Sequence, residues 1–184
     1  YSEIWFDGKP RSVLEFGREG VVVFQSLSKR SAMPGYRVGW MAGDARIVSA
    51  FKKLKTNIDS GTPTFIQDAA VAALADETHV DAMRDTYRAR RDILVPALRD
   101  VGCAIEGPQA TLYVWPQAPG NLSGVDFAKR LLAPDIGVVA TPGAALCEPT
   151  ADGTVPGERH VRFALVPSLP RVAEAAARIR RALS

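Results

Sequence analysis

The chain is organised around the segment Val21-Val22-Val23-Phe24-Gln25-Ser26-Leu27-Ser28-Lys29, which is followed by Gly35-Tyr36-Arg37-Val38-Gly39. The short run of β-branched and aromatic residues before the serines predicts a buried strand over 21–25. A second apolar run begins at Val38 and predicts another strand, over 38–42. A strand, a polar loop and a second strand would place Lys29 and Arg37 at one end of a sheet.

The polar residues of this loop suit a ligand that carries both an aldehyde and a phosphate. Burial disfavours the charged form of a lysine and leaves a nucleophilic amine, which can form a Schiff base with an aldehyde. The guanidinium of Arg37 offers a planar fork to a phosphate, and the hydroxyls of Ser26 and Ser28 can add hydrogen bonds. Amine, hydroxyls and guanidinium together suit pyridoxal phosphate.

The spacing of these residues resembles that of a known family. Ser26-x-Ser28-Lys29, followed eight residues after the lysine by the arginine of Gly35-x-Arg37-x-Gly39, resembles the class I/II aminotransferases, which are fold-type-I pyridoxal-phosphate enzymes. The resemblance implies an α/β fold, in which the end of a large-domain sheet is followed by a small C-terminal α/β domain. It also implies that Lys29 is the Schiff-base lysine, that Ser26, Ser28 and Arg37 bind the phosphate, and that the cofactor is pyridoxal 5'-phosphate.

An alternative for the same motif is acyl transfer. Ser26-x-x-Lys29 fits the S-x-x-K of serine β-lactamases and penicillin-binding proteins, in which the serine is the nucleophile. Those proteins also carry S-D-N and K-T-G motifs, but this sequence has no Ser-Asp-Asn, and its only Lys-Thr pair continues as Lys55-Thr56-Asn57. Their motif also opens a helix, which Pro34-Gly35 would interrupt. The pyridoxal-phosphate interpretation is therefore favoured.

Composition narrows the class of partner. The 184 residues carry a net charge of +3, and the densest positive run, Arg84 to Arg91, is interleaved with aspartates, which is typical of a solvated helix face rather than a nucleic-acid surface. Cys103 and Cys147 lack CxxC spacing, so we expect free thiols in a reducing cytoplasm. His79 and His160 form no metal-ligand pattern. No apolar run approaches the roughly 18 residues that span a membrane. We expect no metal, nucleic acid or membrane partner.

The first residue matches a further family motif. In the class I/II aminotransferases a D-x-x-Y motif lies at this point; its aspartate pairs with the pyridine nitrogen and its tyrosine with the phenolic oxygen of the cofactor. The resemblance implies that Tyr1 is that tyrosine, and the aspartate would lie three residues upstream. We therefore expect the chain to be the C-terminal half of a longer enzyme and to be inactive alone.

Hydrophobic periodicity and turn signals predict the remaining elements. Asp44 is the predicted N-cap of the helix that follows the second strand. Pro96 interrupts a long helical pattern and predicts a kink or a boundary. We assign residues 1–95 to the C-terminal part of the large cofactor-binding domain, including the start of the interdomain helix, and residues 96–184 to the small domain. Further helices are predicted over 12–16, 64–75, 77–101, 123–132 and 169–183, and strands over 103–105, 111–115, 137–140 and 160–166.

A polar segment between two helices bears on the substrate. The residues Lys55-Thr56-Asn57-Ile58-Asp59-Ser60-Gly61 predict a loop, and their wording resembles the diaminopimelate and N-succinyldiaminopimelate aminotransferases. In that family the segment reaches the active site of the partner subunit, so the resemblance implies a homodimer with shared active sites. Asn57 is the first candidate for a contact to a distal carboxylate and Lys55 the second. A plain capping loop is the alternative.

Arg162 is the candidate anchor for the substrate α-carboxylate. It lies mid-strand in Val161-Arg162-Phe163-Ala164-Leu165, and an arginine between apolar neighbours is costly without a partner. A carboxylate held bidentately would be one, and an ordinary ion pair another. The resemblance implies the first, because the family places its carboxylate arginine in a V-R strand after T-P-G. Here Thr141-Pro142-Gly143 is expected to be structural and close to the site.

The strand before it lines the substrate pocket in the resembling family. Tyr113 and Trp115 share a face by strand alternation, and we favour core packing for both. Leu112 stands where an aromatic residue is common, and Cys147 where glycine is common, so both leave the shape of the pocket open.

The implied activity is transfer of an amino group between an L-amino acid and a 2-oxo acid, with Lys29 also moving the Cα proton. The implied substrate is of the diaminopimelate type, which belongs to lysine biosynthesis. Two alternatives stay open: an aspartate, alanine or aromatic aminotransferase, and a transcription regulator whose aminotransferase-like domain senses pyridoxal phosphate.

Overall fold

The computed structural model describes residues 1–183, which divide into two compact units; the division falls within one helix, between Arg84 and Asp85. The first unit contains a two-stranded antiparallel sheet of β1 (Val22–Ser26) and β2 (Gly39–Gly43). The short helix α1 (Leu27–Arg30) directly follows β1. The helices α2 (Ala45–Ile58) and α3 (Thr64–Ala75) follow, and α4 (Thr78–Asp100) runs from the first unit into the second. The assignment of domains to residues 1–95 and 96–184 stays a prediction.

The two predicted strands are confirmed, each displaced by one residue, but the expectation that the first is buried is wrong: β1 has no buried residue and Phe24 is 69% exposed. Two glycines let the strands approach closely. A Cβ atom on Gly43, whose φ is 146°, would lie 2.2 Å from the carbonyl oxygen of Val21. A side chain at this position would therefore push the two strands apart.

Asp44 joins the end of β2 to the start of α2 and is the N-cap that the sequence predicts. Its carboxylate accepts hydrogen bonds from the backbone N–H of Arg46 at 2.8 Å and of Gly20 at 2.7 Å. The side chain of Arg46 also donates to it, and this contact, followed by those backbone bonds, lowers the pKa of Asp44. The carboxylate thus fixes the hairpin to the helix that follows it.

The N-terminal segment is held by apolar burial and by the start of α4. Ile4 and Phe6 are buried, and the guanidinium of Arg84 lies 4.3 Å from the centre of the Trp5 ring. The same guanidinium donates to the carbonyl oxygen of Glu3 at 3.3 Å. The short helix predicted over 12–16 is present as a single 3-10 turn, Val13–Glu15.

The second unit is built on a three-stranded antiparallel sheet. Its spatial order is β3 (Tyr113–Val114), β5 (Val161–Ala164) and β4 (Thr141–Pro142). The helices α5 (Gly124–Leu132) and α6 (Leu169–Leu183) complete it. The helical segment from 124 and α6 were both predicted. The core combines apolar residues of α4, the sheet and both helices, among them Leu94, Leu98, Val114, Phe127, Leu131, Phe163, Val172 and Ile179.

Two predicted strands of this unit are wrong. Residues 103–105 form only an isolated bridge, between Ala104 and Gln117. Residues 137–140 form no strand, because their backbone closes the end of α5 instead: the N–H of Gly137 donates to Ala133 and that of Val138 to Leu131. Pairing with β5 begins only at Thr141. No helix among residues 1–183 is long and apolar enough to cross a membrane.

Candidate active site

The loop between β1 and β2 brings the predicted cofactor residues together. Ser26 ends β1 and lies directly opposite Gly39, the first residue of β2, in the antiparallel register. Everything between them, including Lys29 and Arg37, therefore lies at one end of the hairpin, as the sequence predicts. The backbone N–H of Leu27 also donates to the carbonyl of Val38 at 3.4 Å, which ties the two sides of the loop together.

Ser26 organises the start of α1. Its Oγ accepts a hydrogen bond from the backbone N–H of Ser28 at 3.0 Å and so caps the helix. The same Oγ lies 2.9 Å from the Oγ of Ser28 and donates to the carbonyl of Val38 at 3.2 Å. The two hydroxyls are therefore adjacent, next to the residue that follows Arg37.

Lys29 lies in α1 with a half-buried side chain rather than the fully buried one expected from the sequence. Within residues 1–183, no carboxylate or other acceptor takes a hydrogen bond from its amine. The helix itself is held firmly, because Leu27 is completely buried. Lys29 thus presents an uncommitted amine on a fixed backbone.

Arg30, which the sequence analysis missed, fixes α1 from the other side. Its guanidinium donates to the carbonyl of Ala73 in α3 at 3.1 Å and forms an ion pair with Glu77. The side chain is only 12% exposed, so these contacts are largely shielded from water. The sequence signal for Arg30 was only that a second cation follows Lys29, because Ala73 and Glu77 lie more than forty residues away.

Arg37 has an unusual backbone conformation. Its φ of 51° and ψ of 44° are left-handed, and Ala32 in the same loop has a φ of 51°. Each such residue costs about 1–2 kcal/mol when it is not glycine. Strained backbone of this kind is concentrated at functional sites, which supports a role for the loop. The guanidinium is exposed and donates to the carbonyl of Pro34 at 2.8 Å, which leaves further N–H groups for an anion.

These donors fit pyridoxal phosphate. A guanidinium and two hydroxyls are suited to the phosphate, and an uncommitted primary amine is suited to the aldehyde. Gly39 contributes by its lack of a side chain, since a Cβ there would lie 2.6 Å from the carbonyl oxygen of Gln25. The donor set of this loop therefore matches the groups that pyridoxal phosphate presents.

Tyr1 is exposed, and its role toward the cofactor stays a prediction. The next residue, Ser2, donates through Oγ to Oε1 of Gln25 at 3.3 Å. The N-terminal segment therefore contacts β1 one residue before Ser26.

In the second unit, Arg162 lies on the opposite face of β5 from the core. Val161, Phe163 and Leu165 are buried, whereas Arg162 is half-buried and Ala164 exposed. The apolar residues on either side of Arg162 in the sequence therefore do not enclose its side chain, because strand alternation turns them to the other face. The guanidinium carbon of Arg162 lies 4.7 Å from the centre of the Tyr113 ring. Within residues 1–183, the guanidinium donates to no carboxylate or carbonyl, so the ordinary ion pair is not formed.

The prediction that Tyr113 and Trp115 pack in the core is wrong. Leu112 and Val114 are the buried residues of this strand. Trp115 is 39% exposed and stacks on the ring of His160, with centroids 5.6 Å apart. The stacked rings of Trp115 and His160 therefore lie on the same open face as Arg162.

The segment Thr141-Pro142-Gly143 lies beside Arg162, as predicted. Thr141 pairs with Arg162 across β4 and β5. The N–H of Gly143 donates to the carbonyl of His160 at 2.7 Å. A Cβ on Gly143 would lie 2.4 Å from the carbonyl oxygen of Gly157, so this turn needs glycine for packing.

The predicted loop 55–61 is helical in its first half. Lys55 to Ile58 form the last turn of α2. Two contacts hold this turn: the ammonium of Lys55 pairs with the carboxylate of Asp59 at 2.6 Å, and the carbonyl of Lys55 accepts a hydrogen bond from the backbone N–H of Asp59. This ion-paired hydrogen bond lowers the pKa of Asp59.

Asn57 is exposed, and its Nδ2 donates to the carbonyl of Lys53 at 2.8 Å. Lys55 and Asp59, but not Asn57, line a cavity of about 350 Å³. Substrate contacts by Asn57 or Lys55 stay predictions.

Comparison with known proteins identifies related sequences. A family model described as aminotransferase class I and II matches residues 1–179. The LL-diaminopimelate aminotransferase of Desulforudis audaxviator is 42% identical over 184 residues, which cover 98% of this chain and 45% of that relative. The chain thus spans about half the length of the curated relatives it matches.

Solved structures agree with these sequence matches. An aminotransferase from Neisseria meningitidis aligns with a TM-score of 0.92 and 34% identity, over 100% of this chain and 48% of that one. A probable N-succinyldiaminopimelate aminotransferase from Thermus thermophilus aligns with a TM-score of 0.85 and 30% identity, also over 100% and 48%. Both fold and sequence are therefore similar over the whole chain.

Proposed function

Since the chain belongs to the class I and II aminotransferase family, we propose that the protein containing it transfers an amino group between an L-amino acid and a 2-oxo acid with the help of pyridoxal phosphate. The observation that carries this proposal is the loop between β1 and β2. It presents an amine, two hydroxyls and a guanidinium at one end of a hairpin. No step of acyl transfer needs that guanidinium, whereas a phosphorylated cofactor does.

Each residue of the loop then has a defined task. Ser26, Ser28 and Arg37 bind the phosphate, and Tyr1 is assigned to the phenolic oxygen. Pyridoxal phosphate, when bound, supplies an electron sink for the negative charge that develops at the substrate Cα. The amine of Lys29 carries the cofactor and takes and returns the proton at that carbon. Arg30 keeps α1 in place through Ala73 while Lys29 acts.

We assign the substrate α-carboxylate to Arg162. Its guanidinium has no acceptor within residues 1–183, and its planar fork matches a carboxylate. A substrate of the diaminopimelate type, in lysine biosynthesis, is supported by the relative named LL-diaminopimelate aminotransferase. Asn57 and Lys55 are the candidates for its distal end, and the cavity beside Lys55 favours that residue of the two.

We further propose a cytoplasmic homodimer with shared active sites. Exposed apolar side chains on α2 and α3 support additional packing in the assembled protein; Ile58 and Phe65 are each 71% exposed. Two free cysteines, Cys103 and Cys147, are compatible with a reducing compartment. That the chain is inactive alone stays a prediction.

Chemical trapping tests the central assignment. The full-length protein, loaded with pyridoxal phosphate, is reduced with borohydride and the labelled peptide is mapped; we expect the label on Lys29. Lys29→Ala should abolish transamination, while Lys53→Ala, which changes an exposed lysine of α2, is the matched control. A label on any other lysine would overturn the assignment.

Substrate comparison tests the finer proposal. We expect kcat/KM for LL-diaminopimelate or its N-succinyl form to exceed that for aspartate, alanine and phenylalanine. A preference for one of the last three would replace the substrate and leave the transaminase in place. Cofactor binding without turnover of any amino acid would instead favour the sensor domain of a regulator.

A further inference from the structure

The open face of the second sheet carries two pairs of side chains in which an aromatic ring contacts its neighbour. Tyr113 lies directly opposite Ala164, so Tyr113, Arg162 and Ala164 project from one face. The isolated bridge between Gln117 and His160 keeps the same register, which places Trp115 on this face as well. Trp115 stacks on His160, and Tyr113 lies diagonally beside Arg162, within reach of its guanidinium.

The ring of Tyr113 packs against the guanidinium of Arg162. The guanidinium carbon lies 4.7 Å from the ring centre, which is within the range of a cation–π interaction. The five N–H groups of an arginine lie at the edge of the guanidinium plane, and within residues 1–183 none of those of Arg162 donates to an oxygen. A carboxylate binds through that edge.

Arg162 differs in this respect from the other half-buried arginines of its unit. The guanidinium N–H groups of those residues donate hydrogen bonds to backbone carbonyls or to a carboxylate of the protein. These arginines are Arg88, bonded to Asp85, Arg90, bonded to Leu165, Arg91, bonded to Pro108, Arg130, bonded to Asp135, Arg159, bonded to Gly120, Arg178, bonded to Ile136, and Arg180, bonded to Asp100. Arg162 alone among these eight contacts a ring and has no oxygen acceptor within residues 1–183.

We infer that Tyr113 is a positioning residue, whose ring restricts the Arg162 guanidinium and leaves its N–H groups ready for a substrate carboxylate. This inference rests on the proposed role of Arg162 as the carboxylate anchor. An arginine side chain loses rotamer freedom when it binds a ligand, and a ring that restricts it beforehand reduces that loss. The hydroxyl of Tyr113 is not needed for this task, because the interaction uses the ring.

Ligand binding tests the inference without turnover. The probe is pimelate, which has the two carboxylates of diaminopimelate and no amino group, titrated by calorimetry into the full-length, cofactor-loaded protein. Tyr113→Leu should raise the Kd of pimelate about fivefold, the weight of one half-buried cation–π contact. Tyr113→Phe should recover most of the affinity. Phe16→Leu, which removes an exposed ring from a similar contact with Arg11, is the matched control.

A double-mutant cycle separates positioning from general structural damage. In an Arg162→Ala background, Tyr113→Leu should change the Kd less than twofold, because no guanidinium remains to be held. With a turned-over substrate, Tyr113→Leu should raise KM while kcat stays within about twofold, as expected for binding lost equally in the ground and transition states.

Three results would overturn the inference: Tyr113→Leu leaves the pimelate Kd unchanged, it weakens binding equally with and without Arg162, or Arg162→Ala itself has no effect on pimelate. Failure of the proposed activity is a separate result. A protein that turns over no amino acid, yet shows the coupling between Tyr113 and Arg162 in pimelate binding, would refute the activity and support the positioning role.

Discussion

The two glycines of Gly35-Tyr36-Arg37-Val38-Gly39 are predicted to respond oppositely to the same substitution. In Gly39→Ala the new Cβ would lie 2.6 Å from the carbonyl oxygen of Gln25, whereas real Cβ contacts essentially never fall below 3.0 Å. The strands must therefore separate by at least 0.4 Å, the difference between these distances. The obstacle is backbone, which cannot swing away as the end of a side chain can.

Overpacking of this kind costs about 1–3 kcal/mol in the free energy of local opening. The same substitution at Gly35 meets no described atom within 4 Å and no left-handed backbone, so it should be neutral or stabilise by about 0.4–1 kcal/mol. Gly39 is paired with Ser26, the cap of α1, so its displacement should also weaken cofactor binding.

Hydrogen exchange, read by mass spectrometry on the full-length protein, measures the local effect directly. In Gly39→Ala the amides of β1 and β2 should exchange about 5- to 150-fold faster, which corresponds to the expected free energy. Titration of the cofactor absorbance should show a raised Kd in this variant and not in Gly35→Ala. The reasoning fails if Gly35→Ala is the more damaging variant, or if Gly39→Ala leaves both exchange and cofactor affinity unchanged.

Two further predictions concern ionisable groups. Hydrogen bonds from Arg46 and Gly20 lower the pKa of Asp44, so its contribution to stability is full above the ordinary carboxyl pKa of about 3.9 and is lost as the pH falls toward the lowered value. The Tm difference between the wild type and Asp44→Asn should therefore be constant above about pH 5 and shrink below about pH 4; a constant difference down to pH 3 would contradict this. Burial raises the pKa of the Cys103 thiol to about 12, so iodoacetamide at pH 8 should leave Cys103 unmodified until the protein is denatured, and rapid labelling of the native protein would count against it.

Elements with local signals could be predicted closely from the sequence. The limits of α3 and α6 agree with the predicted ranges, since helical periodicity and the flanking prolines or polar residues are contained within each segment. Asp44 was predicted as a cap because its role depends on the next two residues. The loop predicted from the polar composition of residues 55–58 is wrong. The ion pair between Lys55 and Asp59 extends α2 by one turn.

Strands were harder to predict because their partners are distant in sequence. The residues 137–140 have an apolar, strand-like composition, yet their N–H groups close α5. For Arg162 the information was present in the alternation of Val161, Phe163 and Leu165, which places an arginine at an even position on the other face. Burial of neighbours along the chain does not imply burial of the residue between them.

The difference between local and distant partners also explains why the sequence predicted the phosphate-binding loop more completely than the carboxylate anchor. The phosphate-binding loop lies within a single hairpin, so the spacing from Ser26 to Gly39 is almost sufficient to bring its donors together. Arg162 could be identified as an unpaired cation in a strand, but the ring beneath it could not. Tyr113 reaches it only because β3 and β5 pair in one register; a slip by one residue would turn Tyr113 toward the core and leave the guanidinium without its support. The orientation of the proposed carboxylate anchor is therefore a property of the sheet rather than of its own strand.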